Sequence, residues 1–405
     1  MKKLNRRDAL RAGGLFTLGT FANFEKLWSN SVNNANLNNS KFIFQSPSIS
    51  EYTPPKMPKL TSLKARLHWN ENPFGPSEKA LNSFVKHARS GNYYSWDLLN
   101  DFVDKITKKE NVNADQIMTG PGSSDLLEKV AISIFQEGEG NVVTADPCYM
   151  SLVNVVGSMG GNWRAIKLNE NFEHDLDGMR NAIDSNTKLV YITNPNNPTA
   201  TITDSKKLLK FCSEVSEKIP VFVDEAYIEL SHGGLSNSMA KLVSQGKDII
   251  ITRTFSKIHG MAGLRMGYMI ARPERIKKIN NLTRGGMGIT GPTIQAAMSS
   301  LDDFNFLKAS KNKIISNRSY TIKKLESRGF KPMPSETNFL IFELPEKVDP
   351  NKFLTEIYSN KVTVKVFNFW NKNWCRVSIG SKNSMDTFFE AFDQAIAYIN
   401  LTDCR

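Results

Sequence analysis

Two periods of apolar and polar residues alternate along this chain. Asn141–Ala145, Lys188–Thr193, Ile219–Val223 and Asp248–Thr252 are short, mostly apolar runs. Runs of that length predict strands covered on both faces, as in a parallel sheet. Stretches with helical spacing lie between them, such as the amphipathic segment Leu126–Ile132. From about residue 100 to 295 the alternation predicts an α/β architecture: a mostly parallel, doubly wound sheet between helices. Beyond it, the pattern predicts a helix over 308–328, strands around Phe339 and Val377, and a helix over 384–399. That order suits a smaller α+β domain, and a chain of 405 residues has room for two.

The first residues follow neither period. Arg6-Arg7 precede a short, mildly apolar, Gly-containing stretch, and Met1–Leu15 reads as a twin-arginine export signal too short to span a bilayer stably. A periplasmic location is expected, with the leader as an anchor if it is not cleaved. The Asn/Ser-rich segment Ser29–Ser40 reads as a linker. The net charge of +12 draws partly on Lys2, Lys3, Arg6, Arg7 and Arg11 in that leader. Elsewhere the signs are mixed and no basic helix stands out, so no nucleic-acid partner is expected. Four scattered cysteines, Cys148, Cys212, Cys375 and Cys404, make no disulfide framework, and no spacing suggests a metal site.

Chemistry concentrates at the ends of the apolar runs. Thr254-Phe255-Ser256-Lys257 follows one, with Arg265 eight residues after Lys257. An amine beside hydroxyls and a guanidinium suits a Schiff base with an aldehyde that also carries a phosphate. Asp224 ends a second run and Tyr227 follows it. A carboxylate there can pair with a protonated ring nitrogen, or simply cap the next helix. Asn197 lies in Asn194-Pro195-Asn196-Asn197-Pro198-Thr199, where two Asn-Pro steps restrict the backbone. Gly120-Pro121-Gly122-Ser123-Ser124 opens a helix, and its free N–H groups make an anion site. Tyr149 closes Asp146-Pro147-Cys148-Tyr149 and offers a flat face to a ring, or a packed core residue.

In that order, phosphate turn, stacking aromatic, Asn turn, Asp strand and Ser-Lys, the chain resembles the fold-type I pyridoxal-phosphate (PLP) aminotransferases. It is most similar to the histidinol-phosphate aminotransferase branch. Further matching stretches are Asn70-Glu71-Asn72-Pro73, Ser335-Glu336-Thr337-Asn338-Phe339 and Cys375-Arg376-Val377-Ser378-Ile379-Gly380. The resemblance implies a large domain over 101–295 and a small one over 296–405, with 41–100 as an arm shared with the small domain and 1–40 as signal and linker. It implies a homodimer with shared sites and a ping-pong exchange between an amino donor and a 2-oxo acid. Lys257 would carry the cofactor and act as the base. A solvated Lys, with pKa about 10.4, is a poor base, so burial or neighbouring charge must lower it. Asp224 would hold the ring nitrogen, Tyr149 would stack, and Asn197 and Tyr227 would reach the ring oxygen. Ser123, Ser124, Thr254, Ser256 and Arg265 would cradle the phosphate, joined by Tyr94 from the partner subunit. Arg376, Asn72 and Lys365 would face the substrate, Arg376 as a bidentate fork for a carboxylate.

Two departures bear on this. Ala200 stands where relatives usually carry Gly, which is tolerable if the backbone there is not left-handed. Lys365 stands where histidinol-phosphate enzymes use Arg for the substrate phosphate, and the aromatic stretch Phe367–Trp374 follows it. The substrate therefore stays open between histidinol phosphate and aromatic or other bulky amino acids. A decarboxylase resembling threonine-phosphate decarboxylase, or a binding protein on the same scaffold, is the alternative.

Overall fold

The computed structural model describes residues 48–402, with side chains through Ile399. The twin-arginine leader, the linker and Cys404 lie outside these residues. Seven strands form the larger sheet, in the order Ile117–Gly120, Gly267–Ile270, Ile249–Thr254, Val221–Asp224, Thr187–Thr193, Asn141–Asp146, Asn162–Lys167. Gly267–Ile270 runs antiparallel to both its neighbours, and the other pairs are parallel.

The apolar runs hide a period of two. Val190, Ile192, Val221, Val223, Ile249 and Ile251 pack into a core on one face of the sheet. Leu189, Tyr191, Phe222 and Ile250 pack into a separate core on the other. Alternate residues point to opposite faces, so a strand covered on both must be apolar throughout. Each such side chain contributes about 1.5–3 kcal/mol by leaving water. The edge strand Asn162–Lys167 is largely exposed, which is why its sequence Asn-Trp-Arg-Ala-Ile-Lys shows no apolar run.

The second sheet is antiparallel, in the order Ile49–Glu51, Lys365–Phe369, Lys372–Ser378, Phe339–Leu344. On one face Leu340, Phe342, Val366 and Val377 pack with Phe353 of helix Pro350–Ser359 and with Phe388 and Phe392 of helix Lys382–Thr402. On the other, Ile341, Phe367, Phe369 and Trp374 form an aromatic cluster. The aromatic stretch is thus a hairpin. Its two loop residues, Trp370 and Asn371, have φ of +53° and +60°, the left-handed pair that a two-residue turn requires. The helix expected over 308–328 begins earlier, at Phe304, because Asp303 accepts a hydrogen bond from the Phe306 N–H and caps it there.

Candidate active site

The parallel strands Asn141–Asp146, Thr187–Thr193, Val221–Asp224 and Ile249–Thr254 all end at one edge of the larger sheet, and the functional residues follow those ends. A cavity of about 880 Å³ opens there, closed on its other side by the antiparallel sheet. Of the residues singled out in the sequence, Ser123, Ser124, Tyr149, Asn197, Asp224, Tyr227, Thr254, Ser256, Lys257, Arg265, Lys365 and Arg376 line it.

One end is built for an anion. Helix Ser123–Phe135 starts after Gly122, whose φ is +88°, and no side chain caps its first N–H groups. Arg265 lies across this turn and donates to Pro121 O at 3.1 Å, Ala262 O at 3.0 Å and Ser256 Oγ at 3.4 Å. Thr254 Oγ1 donates to Ser256 Oγ at 3.0 Å. A Cβ on Gly122 would meet Arg265 Nη2 at 2.1 Å, so the guanidinium can lie there only over glycine.

Further in, Asp224 Oδ1 accepts from Thr252 Oγ1 at 3.1 Å and from the Ala226 N–H at 3.2 Å. Burial nevertheless pushes its carboxyl up to about 6, because no cation is paired with it. Tyr149 and Ser124 share a hydrogen bond of 3.2 Å, and Asn70 Nδ2 donates to Tyr227 Oη at 3.1 Å.

Lys257 Nζ donates to Asn70 O at 3.0 Å and sits 5.2 Å from the centre of the Tyr227 ring. Burial first, then the charge of Arg376, pulls its pKa down from 10.5 to about 8, with Glu71 and Asp224 opposing. This is the lowering that base chemistry at a lysine needs. Arg376 donates to Asn197 Oδ1 at 2.8 Å and to His68 O at 2.9 Å, between the rings of Phe339 and Phe367. Its Nε is buried without a partner, and Nη1 and Nη2 each keep a second N–H beyond these bonds. The other asparagines of the Asn-Pro turn are used on the fold: Asn194 Oδ1 accepts from the Thr203 N–H, and Asn196 Nδ2 donates to Pro147 O and Thr199 Oγ1.

Two expectations, those for Asn72 and Ala200, meet a different geometry, and Tyr94 stands apart as the residue expected at a partner's site. Asn72 does not reach the main cavity. Its amide donates to Ile258 O and Ser310 Oγ, both at 2.9 Å, and it borders a neighbouring cavity of about 330 Å³. Asn70 lines the main cavity, turned there by a left-handed backbone (φ +55°) that Asn tolerates well. Tyr94 is 86% exposed and stacks on Trp96 at 4.9 Å, outside the cavity of its own chain. Ala200 is left-handed after all, with φ +68°. Its methyl is buried against the cluster of Tyr227, Leu230 and Phe339, and this burial offsets part of the roughly 1–2 kcal/mol conformational cost.

The sequence reading also missed Glu51, whose carboxylate pairs with Lys365 Nζ at 2.7 Å inside the cavity. Nothing around Glu51 marks it as a site residue, because the sheet that places it is non-local. Cys148, Cys212 and Cys375 are buried free thiols. Burial pushes the Cys148 thiol up to about 12 and the other two higher. Among the described residues no cluster of side chains suits a metal ion.

The donor set fits pyridoxal phosphate group by group: an uncapped helix turn with Arg265 for a phosphate, a buried carboxylate without an ion-pair partner for a pyridinium, and an amine of lowered pKa for an aldehyde. The family comparison agrees. A model of the aminotransferase class I and II family matches residues 64–392. A histidinol-phosphate aminotransferase of Moorella thermoacetica is 31% identical over 335 residues, 82% of this chain and 85% of that protein. An aromatic amino acid aminotransferase of Mycolicibacterium smegmatis is 29% identical over 328 residues, 81% and 89% of the two chains. The crystal structure of histidinol-phosphate aminotransferase from Sinorhizobium meliloti with pyridoxal-5'-phosphate superposes with a TM-score of 0.76 at 22% identity, covering 83% of this chain and 92% of that one. The chain therefore belongs to the class I and II aminotransferases, a fold-type I transaminase with pyridoxal phosphate as its cofactor.

Proposed function

We propose that this enzyme moves an amino group from an amino acid to a 2-oxo acid, with Lys257 as the residue that carries the proton. One observation bears most of the weight: the amine of Lys257, lowered to about 8, shares its cavity with the half-used fork of Arg376. When bound, the cofactor supplies an aldehyde for the amino group and a ring that accepts electrons as the α-proton leaves.

Arg376 grips the substrate carboxylate and sets which face of the α-carbon is presented to Lys257. Lys257 Nζ would take the proton from the substrate α-carbon and hold it as its ammonium, its basicity set by burial and by Arg376. Asp224 would keep a proton on the ring nitrogen of the bound cofactor. Tyr149 would cover the ring, and Asn197 and Tyr227 would hold its oxygen. Ser123, Ser124, Thr254, Ser256 and Arg265 anchor the phosphate.

We further propose a homodimer in which Tyr94 reaches the partner's phosphate site. Leu81 and Val85, four residues apart on helix Glu78–Ala88, and Tyr93, Tyr94 and Trp96 are all exposed, which supports this reading. We also propose twin-arginine export to the periplasm, supported by Arg6-Arg7 and the short apolar stretch after them.

The test loads the full chain with pyridoxal phosphate and adds single amino donors, histidinol phosphate and aromatic amino acids among them. Loss of the bound cofactor's absorbance with release of a keto product, absent in Lys257→Ala, is the expected result. Carbon dioxide release in place of a keto product would instead make the enzyme a decarboxylase.

A further inference from the structure

Five cationic side chains line the cavity, Arg66, Lys257, Arg265, Lys365 and Arg376, against three carboxylates, Glu51, Glu71 and Asp224. Their pairing is uneven. Arg66 is engaged by both oxygens of Glu71, at 2.7 and 2.8 Å. Lys365 is engaged by Glu51 at 2.7 Å. Lys257, Arg265 and Arg376 hydrogen-bond only to carbonyls, a hydroxyl and an amide oxygen. Two unpaired guanidinium groups thus remain for anions, one at the helix turn and one beside Asn197. Transamination with a 2-oxo acid uses both, for the cofactor phosphate and the substrate carboxylate.

A donor such as histidinol phosphate has no carboxylate and carries a phosphate in its place, a group of nearly two negative charges that calls for a second cation beside Arg376. The antiparallel sheet places one and then occupies it. Three adjacent strands present Arg376, Lys365 and Glu51 in turn, with Lys365 registered against Arg376 and Glu51 against Phe367. Residues two apart on a strand share a face, so Glu51 reaches Lys365 diagonally past the Phe367 ring. The pair is only partly exposed, at 25% and 33%, so water screens it incompletely. A phosphate brought to Lys365 meets the Glu51 carboxylate at the same place. An α-carboxylate, with a single charge, is served by Arg376 alone, and a neutral flat side chain beside it finds Ile49, Trp69, Met150 and Phe367 along the wall.

We propose that Glu51 is a specificity-determining residue. By occupying Lys365 it turns the enzyme away from phosphate-bearing donors and towards amino acids with neutral aromatic side chains. This rests on the transamination reading above and adds the substrate class to it.

The experiment uses the cofactor-loaded full chain, with L-phenylalanine and L-histidinol phosphate as probes, and follows the absorbance change of the bound cofactor in single turnovers. Wild type is expected to favour phenylalanine in kcat/KM. In Glu51→Gln the preference falls at least about tenfold, through tighter half-saturation by histidinol phosphate and not through its limiting rate. Glu51→Asp retains the charge and retains the preference, which separates charge from shape and guards against a variant that misfolds. Preference of the wild type for histidinol phosphate, with ordinary turnover, overturns this inference alone. An unchanged ratio in Glu51→Gln overturns the role of Glu51. No conversion by either donor, with the cofactor bound, overturns transamination and this inference together.

Discussion

At the scale of the residue, Lys257 shows how position creates reactivity. Its amine is ordinary in sequence; burial and the charge of Arg376 lower it from 10.5 to about 8. The shift has a sign in stability. Between about pH 8 and 10.5 the unfolded chain still holds a proton that the folded chain has released, so folding gains stability as pH rises through that window. In cofactor-free protein, the stability of wild type in urea minus that of Lys257→Met should rise through that window, on top of the fall above about pH 9.0 that the buried thiols bring to both proteins alike. An equal slope in the two proteins would remove the basis for a lowered pKa at Lys257. The candidate site residues were mostly legible in sequence because their types are chemically marked: Lys257, Asp224 and Arg265 lie at the ends of strands or in turns, whereas Arg376, inside a strand, came with the resemblance. Asn70 and Asn72 were not separable, since a single left-handed residue decides which amide faces the cavity.

At the scale of the element, the turn Gly120–Ser124 carries the clearest geometric demand. Gly122 combines a φ of +88° with a Cβ position 2.1 Å from Arg265 Nη2. Gly122→Ala should therefore displace the guanidinium and weaken pyridoxal phosphate binding by at least about tenfold, measured by absorbance titration, while circular dichroism stays native. Binding at wild-type strength would show that Arg265 is not needed where it lies. Apolar runs revealed the central strands because both faces are covered, whereas Asn162–Lys167, half bare at the sheet edge, gave no such signal. Glu51 lay beyond reach for a related reason. Its strand pairs with residues more than 300 positions away, and no local pattern reports that.

At the scale of the whole molecule, the alternation of strand and helix disclosed the larger sheet, and the resemblance supplied what a single chain leaves open. Tyr94 is the residue where this matters. It is 86% exposed on one chain, yet proposed to complete the cofactor site of another. Analytical ultracentrifugation should find a dimer. Tyr94→Ala should remain dimeric but bind cofactor about tenfold more weakly, as the loss of one charge-assisted hydrogen bond implies. A monomer at micromolar concentration would end this reading. The buried cysteines have a consequence of a different kind. A thiol with its pKa at about 12 or above, shut from solvent, presents almost no thiolate to an oxidant. Cys212 and Cys375, with no exposed surface, are thus chemically silent while the protein stays folded, whereas Cys148 borders the cavity and is quieted by its raised pKa alone.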